Sequence, residues 1–156
     1  MSGQPAGAFD LFGISVEDAS PINPPNIIGE GDSFTITVKF KGNPTDPVYG
    51  GTWAAIRDLE KTGPCHKPVE CEVIVYAESI GKGYEGTLAK KISSLALGQN
   101  EYTVQLDVPG GVPIEPPGFG PLKQGLYLVG ATVRIPAFPQ WVGYIQDTFV
   151  QIAPGA

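Results

Sequence analysis

Nine residues constrain this chain more than any others: Ser-Phe-Thr-Ile-Thr-Val-Lys-Phe-Lys at 33–41. Phe34, Ile36, Val38 and Phe40 fall on one side, and Thr35, Thr37, Lys39 and Lys41 on the other. Successive side chains of a β-strand point to opposite faces, so this alternation predicts a half-buried strand with a wet outer face.

The pattern recurs along the chain. Residues 9–16 (FDLFGISV) read as a first strand with a bulge at Gly13. Residues 69–78 set Cys71, Val73, Val75 and Ala77 against Glu70, Glu72, Ile74 and Tyr76. Residues 86–92 form a weaker strand. Residues 101–108 align Tyr102, Val104, Leu106 and Val108, and residues 125–135 align Tyr127, Val129, Ala131, Val133 and Ile135. Residues 144–152 make the last strand. Of the 21 Gly and 16 Pro, 19 cluster between these segments at 17–32, 42–51 and 109–124, as turn-rich β proteins use them. Residues 52–60 (TWAAIRDLE) fit two periods. A strand groups Trp53, Ala55 and Leu59; a helix groups Trp53, Ile56 and Leu59. The reading leans to strand at the Trp53 end. About eight short strands at roughly 8–12-residue spacing predict an all-β, antiparallel sandwich with long Pro/Gly-rich loops. At 156 residues the expectation is one domain over 9–153, preceded by a flexible segment, 1–8.

At the level of fold, residues 9–152 resemble an immunoglobulin-like sandwich. Trp53 stands where the core Trp of the third strand would be. Tyr127, after Leu122 and Gly125, is similar to the tyrosine corner that opens the penultimate strand, whose hydroxyl bonds back to upstream backbone. The inter-sheet Cys pair of antibody domains is missing, with Val129 where the second Cys would be. The fold hosts many unrelated functions and implies no activity.

Charge narrows the partners. A net charge of −6 and the lack of any Lys/Arg run argue against nucleic acid, which requires a basic stripe. No stretch approaches the ~18 apolar residues of a membrane span, so membrane insertion is not expected. The N-terminus has neither a cationic nor an apolar leader segment. The chain therefore reads as cytoplasmic as written, and as extracellular if a leader has been removed.

Cys65, His66 and Cys71 are the only Cys and His residues. With Glu70 they make a poor zinc set, since structural zinc takes four ligands, usually from Cys pairs two to four residues apart. The alternatives are a Cys65–Cys71 disulfide across a loop flanked by Pro64 and Pro68, or two free thiols. Either cysteine beside His66 makes a weak nucleophile pair, because sequence neighbours on a strand point apart. No metal, cofactor or general acid–base couple is expected.

The aromatic loops carry the binding expectation. Phe138, Trp141 and Tyr144 lie in the connection before the last strand, and Asp46 and Tyr49 lie in loop 42–51. In the resembled fold these loops meet at one end of the sandwich. Aromatics beside a carboxylate there form a protein or sugar contact, or else cap the open end of the core. The Pro-rich run 112–121 is a stiff crossover or a polyproline ligand. Glu17, Asp18, Glu30 and Asp32 lack a calcium-loop register and read as solvated charge. With 17% charged residues against a usual ~25%, the outer faces suit contact with other chains. The chain thus reads as a non-enzymatic structural or protein-interaction module that meets other protein chains or itself. A carbohydrate-binding module using the loop aromatics is the alternative.

Overall fold

The computed structural model describes residues 8–18, 26–58, 69–80, 85–95, 98–109 and 124–154. Among them eight strands form two sheets. β1 (Phe9–Asp18), β3 (Phe34–Gly42) and β6 (Glu101–Val108) make a three-stranded sheet in the order β1-β3-β6. β2 (Ile27–Gly29), β4 (Glu70–Ser79), β5 (Glu85–Ser94), β7 (Gly125–Arg134) and β8 (Val142–Ala153) make a five-stranded sheet in the order β2-β8-β7-β4-β5. The all-β sandwich read from alternation is the fold.

The alternation is realised in burial. Ile36, Val38 and Phe40 of β3, Val73 and Val75 of β4, Val104 and Leu106 of β6, and Val129 and Val133 of β7 all face the core. Phe34 is buried with them. The bulge expected at Gly13 interrupts the β1–β3 register between Leu11 and Gly13.

Three local expectations need correction. Trp53 does not lie on a strand: Gly50–Arg57 is a short helix, α1, with Trp53 and Ile56 turned into the core at i and i+3. Ala54 and Ala55 favour this conformation, and the Asp46 carboxylate accepts N–H bonds from Val48 (3.1 Å) and Tyr49 (2.8 Å) just ahead of it. The stretch 17–32 is not wholly loop, because Ile27–Gly29 forms β2. Nor is the sandwich wholly antiparallel, since β2 runs parallel to β8. Leu59 and most of the segment expected to receive the Tyr127 hydroxyl lie outside the described residues, although Tyr127 itself is buried.

Candidate functional site

The expected loop end exists, but it is mostly core. The turn after β7 is closed by backbone bonds from Phe138 N–H to Ile135 O and from Trp141 N–H to Phe138 O, both 2.9 Å. This turn delivers Trp141 inward, where it is 4% exposed. The Trp141 ring packs on Trp53 (centroids 5.9 Å) and Phe9 (6.0 Å), and Tyr49 meets it edge-on at 6.4 Å. Phe40 and Tyr102 stack at 5.0 Å in the same cluster. Phe138 is partly buried against the core. Asp46 spends its carboxylate on backbone N–H groups. These rings close one end of the sandwich.

Tyr144 lies elsewhere. It stands on β8 with its ring on the outer face of the five-stranded sheet, 59% exposed. Register explains its neighbours. Tyr76 of β4 is opposite Gly130 of β7, which is opposite Gln146 of β8. One step along, Ile74 is opposite Thr132, which is opposite Tyr144. Tyr76 and Tyr144 are therefore diagonal neighbours across β7. They come together because Gly130 has no side chain: a Cβ there would run into the Tyr76 hydroxyl. The two rings lie within 22° of parallel, centroids 6.3 Å apart.

Polar groups hold this pair. The Tyr144 hydroxyl donates to Gln146 Oε1 (2.6 Å), and Gln146 Nε2 donates to Glu78 Oε2 (3.1 Å). Partial burial, and then the neighbouring Tyr144 hydroxyl, raise the Tyr76 phenol above its ordinary pKa, so the Tyr76 hydroxyl keeps its proton at physiological pH. On the side of Ile74 and Thr132, Arg134 Nε pairs with Glu72 Oε1 at 2.8 Å. On the other side, Leu126 and Phe149 are exposed apolar side chains.

Cys71 faces the core as a fully buried free thiol, and Cys65 and His66 lie outside the described residues. Burial pushes the Cys71 thiol up to about 11, so it is a poor nucleophile. Among the described residues, no cluster of His, Cys, Asp and Glu could hold a metal ion. No helix among them is long and apolar enough to cross a membrane.

The alternation puts Tyr76 on the outer face of its strand, but the sequence groups Tyr144 with the loop aromatics instead and joins neither tyrosine to the other, to Gln146 or to Glu78. The available signal was Gly130, since a glycine inside an apolar strand marks a close approach.

No protein-family model and no curated protein matches this chain. Solved structures do share its fold. A β-glucuronidase from Bacteroides uniformis superposes with a TM-score of 0.53 at 12% identity, over 93% of this chain and 14% of that one. The C-terminal domain of Wzt gives 0.51 at 8% identity, over 96% and 76%. A β-glucosidase from Erythrobacter marinus gives 0.50 at 13%, over 94% and 15%. The chain thus spans about one-seventh of the two glycosidase chains. At these identities the likeness is one of fold.

Proposed function

We propose that this chain is a non-enzymatic binding module that holds a carbohydrate chain on the outer face of its five-stranded sheet. One observation carries this reading: two tyrosine rings, nearly parallel and about one sugar ring apart, lie side by side on the outer face, Tyr76 half-buried over Gly130 and Tyr144 exposed beside it. A tyrosine combines a rigid apolar face with a polar tip, which suits the C–H face and the hydroxyls of a pyranose. Gln146, Glu78 and Thr132 add hydrogen-bonding groups beside the rings. The Glu78 carboxylate, bonded among the described residues only to a neutral amide, disfavours an acidic glycan and so favours a neutral one. The fold likeness to parts of a β-glucuronidase and a β-glucosidase is compatible with an accessory role, but the tyrosine pair is what supports the reading.

A protein partner is the second reading. The observation in its favour is the exposed pair Leu126 and Phe149 on the same face, 43% and 48% exposed, because contiguous apolar surface marks contact sites.

Electrophoresis through gels containing soluble neutral polysaccharides decides between them. The module should be retarded by at least one glycan, and Tyr144→Ala should run freely while keeping its melting temperature. Unretarded migration in every gel, together with concentration-dependent self-association in light scattering that Phe149→Ser abolishes, would replace carbohydrate by protein as the ligand.

A further inference from the structure

The opposite face of the sandwich carries a cleft that the tyrosine pair does not explain. It has a volume of about 650 Å³ and is lined by Asp10, Lys41, Gly42, Asn43, Asn100 and Glu101. Small-molecule sites fall in the range of ~300–1,000 Å³. We propose that this cleft is a separate site for a small, neutral, hydroxyl-rich molecule of monosaccharide size.

The argument is an inventory of unspent polar groups. Register places Asp10 opposite Lys41, and Lys41 opposite Glu101. An ammonium between two carboxylates would ordinarily pair with one of them. Here Lys41 Nζ lies over the Phe12 ring instead, 5.2 Å from its centroid, and among the described residues neither carboxylate has a partner. The two asparagines are also half-used. Asn43 Oδ1 accepts from Thr45 N–H (3.0 Å) and Oγ–H (2.7 Å). Asn100 Oδ1 accepts from Trp53 Nε1–H (3.0 Å) and Arg57 Nη1–H (2.6 Å). Those bonds fix both amides, and neither Nδ2 has a partner among the described residues. The cleft therefore offers two oriented amide donors, an ammonium and two carboxylate acceptors. Such a mixture matches hydroxyls, each of which donates and accepts. Two carboxylates against one ammonium disfavour an anion. Beneath the cleft, the Gly42 backbone lies directly on the Trp53 indole, because a Cβ there would overlap the ring. The indole N–H, bonded to Asn100, is thus a built-in reporter.

The test is an NMR titration of the intact chain with D-glucose, following the Asn43 and Asn100 side-chain amides and the Trp53 indole N–H. These three signals should move together with a millimolar midpoint, as a small neutral ligand in an open site implies. The double variant Asp10→Ala/Glu101→Ala removes exposed side chains only and should weaken the response about tenfold with an unchanged backbone spectrum; Glu101→Gln alone serves if the double variant misfolds. Ring signals of Tyr76 and Tyr144 report the other face in the same titration, so either site can fail without the other. Unmoved cleft signals, a response that survives the carboxylate variants, or movement with glycine but not glucose would each overturn the proposal.

Discussion

The Tyr49 ring stands edge-on against Trp141, at 85° and 6.4 Å between centroids, and so joins loop 42–51 to the turn after β7. The contact makes Trp141 a keystone of the closed end rather than a surface aromatic. Trp141→Ala should cost about 3–5 kcal/mol, the range for emptying a buried aromatic site. Urea titration measures this directly. A loss under 1 kcal/mol would mean that the end of the sandwich closes without the ring.

Gly130→Ala probes the tyrosine pair from below. The new methyl meets the Tyr76 ring on one side and the Ile145 carbonyl oxygen at 3.0 Å on the other. We expect a loss of roughly 1–3 kcal/mol from overpacking, with Tyr76 displaced and glycan retardation lost. Unchanged stability and retardation would disprove the close packing of Tyr76 on β7.

At Gly42 the obstacle is the Trp53 indole itself. Gly42→Ala should destabilise by about 3 kcal/mol or more, since neither partner is a flexible side-chain end. A red shift of tryptophan emission should accompany it as the ring loses its cover.

Val38 is fully buried at the centre of β3. Val38→Asp should unfold the protein, because an unpaired buried charge costs several kcal/mol. Circular dichroism showing an intact sheet in that variant would refute the β3 register.

Alkaline pH should destabilise the fold in a definite window. Burial raises Cys71 from 9.0 to about 11 and Tyr102 from 10.0 to about 12. The folded state thus keeps protons that the unfolded chain releases. Stability from Cys71 is fully present below pH 9 and is lost as pH rises toward 11. The melting temperature should fall over that interval, and less steeply in Cys71→Val. Equal slopes would rule out titration of Cys71 as a cause.

What could be read in advance follows from the range of each signal. Strands of eight to ten residues announce themselves by period, and β3, β4, β6 and β7 were legible for that reason, as was the Gly13 bulge. β2 was not, because three residues with one buried side chain carry no period. The Trp53 segment fits a strand and a helix equally by local pattern; packing of Trp53 and Ile56 under one end of the sandwich chose the helix. Trp141 and Tyr144 are three residues apart in sequence and face different surfaces, because the chain passes from a tight turn into β8 between them. The Tyr76–Tyr144 pair depends on the registers of three strands and could not be found by scanning along the chain.

The parallel pairing of β2 with β8 also has a consequence for biosynthesis. Ile27, Ile28 and Gly29 are made early, yet their partners Gln151, Ile152 and Ala153 belong to the last strand described. Until Val142–Ala153 has left the ribosome, β7 has an open edge and the Ile14 carbonyl lacks its bond from the Thr148 hydroxyl. A nascent chain stalled before β8 therefore exposes the long, apolar edge of β7 to its neighbours on the polysome, and pairing with β8 covers that edge.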